Sequence, residues 1–314
     1  MKPHSSNHDL MFQAVKVSLF GNIILFVLKA ASLIAVHSLA IATDLGITVV
    51  GLIVSVILYY SVKLASQPAD FLHNYGYGKV EHVCEALEGI VLVGISLIMS
   101  FQAVTHLLHT SEISSPWLGA GFSMVGSAIN FVGAAWILSL AKRCHSPAVE
   151  AEGIHYKLEG LISLTVAASF LLTILLSRTS LSFVTPYLDP AATLAVSLLI
   201  AVPSFKLAKH AFVKLLDSSI EETGKMEVIK QLAKYIDQCC EFRDIRSRSA
   251  GRTKYVELKL LLSPNLTFPA AHQLAANVEK DLRANIHGCE ATVIIVPCPE
   301  NCITHTPAQA LQNS

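Results

Sequence analysis

The stretch Glu150-Ala-Glu-Gly-Ile-His-Tyr-Lys-Leu-Glu-Gly160 runs directly into the apolar segment Leu161–Ser177. It sets Glu152, His155, Lys157 and Glu159 at the mouth of, and inside, a helix long enough to cross a bilayer. His155 and Glu159 are four residues apart, so both project from one helix face. An ionisable side chain at membrane depth is costly and by default marks a path for an ion or a proton. An imidazole and a carboxylate on one face also suit a divalent transition metal. The plainer alternative is a helix-packing pair, hydrogen-bonded to a neighbouring helix.

Such groups need a scaffold of spans, and the composition supplies one. Of 314 residues, 53% are hydrophobic and 15% charged, and the mean hydropathy is +0.53. That is too apolar for an ordinary soluble domain. Apolar runs fill positions 12 to 215, while charge crowds into 216 to 290. Six spans can be drawn, each near the ~20 residues a crossing needs. They run Phe12–Val36 (with Lys16 and Lys29), Ser38–Leu64 (with Asp44) and Val83–Leu108 (with Glu85 and Glu88), then Trp117–Ala141, Val149–Leu176 and Leu188–Leu215. The last begins at Asp189-Pro190 and is interrupted by Pro203.

Orientation follows from positive charge. Lys63 and Lys79 flank one loop, Lys142 and Arg143 another, and Lys206, Lys209 and Lys214 close the sixth span, whereas Val36–Ser38 and His109–Pro116 carry neither Lys nor Arg and Arg178–Tyr187 carries one. Both termini are therefore expected in the cytoplasm. The polar Met1–Leu10 lacks the apolar core and cleavage site of a signal peptide. Zero formal net charge gives no bias towards nucleic acid, and the seven scattered cysteines read as free thiols or ligands, not a disulfide framework.

Beyond Leu216-Asp217-Ser218 the grammar changes. Glu222–Cys240 has helical spacing of Met226, Ile229, Leu232 and Ile236. Asp244–Arg248 and Lys254–Leu262 alternate as strands about a turn at Gly251, Phe268–Ile286 is again helical, and Ala291–Val296 is a short β-branched run. The expected fold is an α-helical membrane protein with six transmembrane helices, followed by a small cytoplasmic α+β domain of order αββαβ. The expected divisions are a tail at 1–11, the membrane domain at 12–215, the αββαβ domain at 216–297 and a Cys/His-containing tail at 298–314.

Read together, these features resemble the cation diffusion facilitator family. Ser38-Leu-Ala-Ile-Ala-Thr-Asp44 resembles the start of its second span. Gln67-Pro-Ala-Asp70, His73 and Gly76-Tyr-Gly-Lys79 resemble its P-x-D-x-x-H-x-[YF]-G-H-G-[KR] loop. Ala151-Glu-Gly-Ile-His155-Tyr-Lys-Leu-Glu159 resembles its fifth-span metal motif, and Leu188-Asp-Pro190 and Leu216-Asp217 the limits of its sixth span. The resemblance implies a dimer that exports a divalent cation (Zn2+, Fe2+, Mn2+, Co2+ or Cd2+) in exchange for protons. The cation is then cargo, not a resident cofactor. The implied setting is a bacterial inner membrane, and the implied partner is a second copy or a paralogue.

The chain departs from that pattern. The family takes two central ligands each from its second and fifth spans. Counted without a gap, the second-span positions read Ile47 and Gly51, which offer no ligand, and the fifth-span positions read His155 and Glu159. Asp44 shares roughly the face of Ile47 and Gly51, ~4–5 Å nearer the outside than Ile47. A displaced site of Asp44, Glu159 and His155, with Thr48 beside it, is geometrically possible; the alternative is a structural Asp44. Asp70 and His73 are an i, i+3 pair able to hold a cation at the cytoplasmic mouth, or a solvated loop pair, with Tyr77 a poor ligand beside them. Glu152 and Lys157 are expected to guard the cytoplasmic entrance. Lys79 and Asp217 can form an interfacial salt bridge or stay solvated.

In the soluble part, the positions equivalent to the family's histidines read Arg243, Lys259 and Val296, although His272 remains. Cys298, Cys302 and His305 form a C-x3-C-x2-H cluster near Cys289 and His287, able to take a soft metal or to remain free. The basic first hairpin reads as a solvated or lipid-facing edge, not a nucleic-acid site. With no nucleophile or phosphate loop, no enzyme is expected. The rival to transport is a transport-deficient relative serving as dimer partner, scaffold or regulator.

Overall fold

The computed structural model describes residues 4–36, 39–108, 116–177, 179–180 and 182–299. Two compact units divide the chain, Met1–Phe212 and Val213–Ser314.

The first unit holds six helices long and apolar enough to cross a membrane, counted among the described residues. They are α1 (His4–Val36), α2 (Leu39–Ala65), α3 (Lys79–Leu108), α4 (Pro116–Cys144), α5 (Pro147–Leu176) and α6 (Thr185–Leu215). Helix α6 starts before the expected Leu188, with both Pro190 and Pro203 inside it. The sorting of side chains is the reverse of a soluble protein. Lys29, Asp44, Glu85, Glu88, Glu152, His155 and Glu159 are buried, while Phe20, Ile34, Ile53, Leu97, Phe101, Val132 and Leu175 face outward. A hydrocarbon surround produces that arrangement, because each unpaired polar group exposed to lipid costs several kcal/mol.

Helix α5 packs against α4 along its length and also meets α2 and α3. Its start is fixed by Ser146, whose hydroxyl accepts from Val149 N at 3.4 Å and donates to Glu81 Oε2 of α3 at 2.6 Å, with Pro147 next in the helix. Small residues allow the close approaches. A Cβ on Gly153 would lie 2.7 Å from Leu138 of α4, and one on Gly89 of α3 would lie 2.5 Å from the Ala208 backbone nitrogen of α6.

The second unit has the expected αββαβ order. Helix α7 (Glu222–Ala233) leads into β1 (Glu241–Ala250) and β2 (Thr253–Leu262), then α8 (Phe268–Asn285) and β3 (Cys289–Pro297). The sheet order is β1-β2-β3, with β1 antiparallel and β3 parallel to β2. Val256, Leu258 and Leu260 of β2 pack with Leu274, Ala275, Val278 and Leu282 of α8. Two expectations need correction. Helix α7 stops at Ala233, and it buries Val228, Gln231 and Leu232, leaving Met226 and Ile229 exposed, with Ile236 exposed beyond its end. Strand β1 begins at Glu241 and carries an irregularity between Arg243 and Arg246, where Asp244 takes φ 52° and binds Lys259 Nζ at 2.6 Å.

Candidate cation site

The fifth-span pair lies on the buried face of α5. His155 and Glu159 are essentially without exposure, with Nε2 3.9 Å from Oε2. Asp44 comes to the same place from α2, itself buried. A third charge, from α1, joins them. Lys29 Nζ lies 2.9 Å from Asp44 Oδ1 and 2.7 Å from Glu159 Oε1, and donates to Thr48 Oγ1 at 2.8 Å. Thr48 in turn donates to Glu159 Oε1 at 2.5 Å, and Ser163 Oγ sits 3.4 Å from Asp44 Oδ2. Three helices thus close around one ammonium group, the cation that a desolvated carboxylate pair needs.

The positions without ligands explain how the rest fits. Gly51 leaves room for the imidazole: a Cβ there would lie 3.0 Å from His155 Nε2. Ile47 belongs to an apolar cluster with Leu92, Ile95, Met99, Leu158, Ile162 and Ile200. Both His155 nitrogens and Glu159 Oε2 are buried with no hydrogen-bond partner. On its other side, Asp44 lines a cavity of about 40 Å³ with Gln102, His106 and Thr193. Among the described residues no group of three or more His, Cys, Asp and Glu side chains is placed to hold a metal ion. The positive charge between Asp44 and Glu159 is Lys29.

The other candidates sit as follows. Asp70 shapes its own loop: its carboxylate accepts from Leu72 N at 2.9 Å, His73 N at 2.6 Å and the Tyr77 hydroxyl at 2.7 Å. His73 Nδ1 is 3.4 Å from the same carboxylate, and its ring lies 4.2 Å from that of Tyr77. The Tyr77 hydroxyl bond, helped by the His73 amide, holds Asp70 below the usual carboxylate range. A depressed carboxyl favours the folded loop above its ordinary pKa, and that contribution disappears as the pH falls through the folded value. Tyr77→Phe should therefore move the acid-induced loosening of residues 66–78 to higher pH, read by hydrogen exchange across an acid titration; an unchanged midpoint would mean that the hydroxyl does not set this carboxyl.

Glu152 and Lys157 do not form an entrance pair, because Glu152 is fully buried and Lys157 faces outward. Their spacing of five residues turns them to different sides of the helix. Lys79 opens α3, and Asp217 pairs with Arg248 at 3.4 Å within the soluble unit. His272 is exposed and stacks on Phe268. Cys298 is buried just past β3, and burial pushes the Cys289 thiol up to about 11. Cys302 and His305 lie outside the described residues.

Lys29 is the residue that sequence reasoning passed over. The signal was present: a lysine far inside an apolar span requires a buried partner, and Asp44 and Glu159 were the available acids.

Comparison with known proteins gives the same architecture a family. The model for the cation efflux transmembrane domain matches residues 15–216. The model for the cation efflux protein cytoplasmic domain matches residues 222–298. An uncharacterized transporter of Synechocystis sp. is 25% identical over 273 residues, covering 86% of this chain and 85% of the relative. The cation-efflux pump FieF of Shewanella oneidensis is 26% identical over 243 residues, covering 76% and 78%. FieF of Yersinia pestis is 22% identical over 275 residues, covering 88% and 89%. With one family model lying over the six-helix unit and the other over the αββαβ unit, the chain belongs to the cation efflux, or cation diffusion facilitator, family of membrane transporters, which are not enzymes.

Proposed function

We propose that this chain carries a divalent cation across the membrane in exchange for protons, and that Asp44, Glu159 and His155, with Thr48, hold the ion. The observation that carries this reading is the convergence of an α2 and an α5 carboxylate on one positive point, at 2.9 and 2.7 Å. A place where two carboxylates and a hydroxyl hold an ammonium group also offers hard oxygen donors to Zn2+, Fe2+, Mn2+, Co2+ or Cd2+. The imidazole of His155, free of hydrogen bonds, adds a nitrogen lone pair. Metal and proton compete for that lone pair, which couples the two flows without covalent chemistry. Lys29 stands where the cargo goes, so loading requires its side chain to withdraw.

The expected setting is a bacterial inner membrane with both termini in the cytoplasm, and a dimer of two copies or of one copy with a paralogue. The charge asymmetry of the loops and the match to a family cytoplasmic domain support this. In proteoliposomes, Asp44→Ala and Glu159→Ala should each cut uptake of the cation by at least the roughly 10–100-fold seen when support for a metal ligand is removed. Uptake equal to the parent's in both variants would remove this site.

The buried ammonium also favours a second reading, a transport-deficient partner whose cation position is filled from within. Expression alone in a metal-sensitive bacterial strain separates the two. Growth rescued by the parent and lost with His155→Ala supports transport; no rescue at normal expression supports the partner role.

A further inference from the structure

Helix α1 carries two lysines inside its span, and they face opposite ways. Lys29 turns inward to Asp44 and Glu159. Lys16 faces out of the bundle, and among the described residues it pairs with no carboxylate. The membrane-spanning stretch of α1 begins at Asp9, so Lys16 stands ~10 Å along its axis. A lysine facing hydrocarbon extends its head towards the interface and an anion there.

Lys16 stands at one end of a groove between α1 and α4, about 810 Å³ in volume and open on the outside of the bundle. Gly126 packs beside Leu28 and Lys29, whereas Gly21 and Gly133 both lie against Tyr156, so α1 and α4 are antiparallel. Lys16 therefore stands roughly a turn short of Lys142 and Arg143, both exposed at the end of α4. Phe20, Val132 and Trp136 form exposed apolar walls. The lining runs from Lys16 to Ile23 and from Ala128 to Trp136. That is ~10–12 Å of helix axis, most of the ~15 Å of hydrocarbon in one leaflet.

The floor is the ring of Tyr156 from α5. A Cβ on Gly21 would lie 2.7 Å from its hydroxyl oxygen, and one on Gly133 would lie 2.9 Å from its ring. Two glycines thus let an α5 side chain fill the gap between α1 and α4. The Tyr156 hydroxyl donates to the Ser18 carbonyl oxygen at 2.5 Å. The interior around Ser18 is polar: Glu152 Oε1 accepts from Ser18 Oγ and, at 2.8 Å, from Ser55 Oγ, and Asn22 Nδ2 donates to Ser55 Oγ at 2.7 Å. None of these three polar residues lines the groove, whose single charge is Lys16.

An apolar trough of leaflet length with a cation at its interfacial end matches hydrocarbon beneath an anionic headgroup. A helix of a second copy would have to present a carboxylate at membrane depth, where such groups are costly. We propose that this groove binds a glycerophospholipid with an anionic headgroup, its phosphate on Lys16 and an acyl chain along Tyr156. Lys142 and Arg143 add positive charge just beyond the phosphate. Tyr156 follows His155 in α5, so the lipid backs the helix that carries the ion-site pair. The lipid site does not depend on the transport reading above.

Trp117 and Trp136 are the two tryptophans of the chain, so Trp117→Phe leaves one fluorescent reporter on the groove wall. This full-length protein is placed in phosphatidylcholine bilayers with rising fractions of a brominated lipid. Brominated phosphatidylglycerol should quench Trp136 at about a fivefold lower mole fraction than brominated phosphatidylcholine, the gain of one basic side chain at an anionic lipid surface. Lys16→Gln should abolish the preference. Ala128→Phe, which fills the groove and keeps the charge, should reduce it. Both residues face out of the bundle, so neither substitution disturbs its packing. Equal quenching by the two lipids in the parent, or a preference unchanged in either variant, overturns the site. Trp136 shielded from both lipids also overturns it, because protein, such as a second copy, then covers the groove.

Discussion

Lys29→Met should destabilise the membrane-spanning unit by about 3–5 kcal/mol in metal-free detergent, the usual consequence of removing one partner of a buried ion pair. The reason is geometric. Asp44 and Glu159 remain buried and face the same point, now without the ammonium group that neutralised them. The same variant should regain most of that stability when Zn2+ or Mn2+ is added, because the emptied position is lined by two carboxylates and Thr48, with the His155 ring beside Glu159. The parent should show a smaller metal-dependent gain, since its own lysine competes. Thermal unfolding with and without metal measures both effects. A variant as stable as the parent and indifferent to metal would mean that Lys29 does not hold the two carboxylates.

The second large effect separates architecture from transport. The triple variant Lys29→Met, Asp44→Asn, Glu159→Gln removes all three charges at once. Replacing a whole buried ionic group is often neutral or stabilising by about 1–4 kcal/mol, so this protein should unfold near the parent's temperature or above it. It should carry no ion in proteoliposomes, because the hard anionic donors are gone. The three single substitutions should each cost more than the triple, a non-additivity expected of groups in one network. Additive losses would show that the three side chains act independently.

These expectations draw on a feature only half legible in the sequence. Apolar length was sufficient for six spans, and period-two alternation for the existence of β1 and β2, though not for where β1 starts. The spacing of His155 and Glu159 put them on one face, as the structure has them. Lys29 escaped because an isolated lysine in α1 does not announce which helix will meet it; that depends on helix packing, which periodicity does not encode. Ser18, Asn22 and Ser55 were hidden for a related reason, since small polar residues are common in spans and acquire meaning only beside Glu152. Across α7 and just past it the spacing of Met226, Ile229, Leu232 and Ile236 marked a stripe, yet of these four the fold buries Leu232 alone, together with Val228 and Gln231. A short helix offers more than one apolar stripe, and the surface it lands on selects between them.

The contact of Gly89 with Ala208 bears on movement. Backbone meets backbone there, and the Glu85–His210 bond clasps the same two helices close by. Sliding α3 along α6 at this point would drive backbone into backbone and break that clasp, so both contacts resist it. Relative movement is resisted less along the seam where α3 faces α2 and α5. Glu88 on α3, Glu152 and Glu159 on α5 and Asp44 on α2 are all buried on the helices that form that seam.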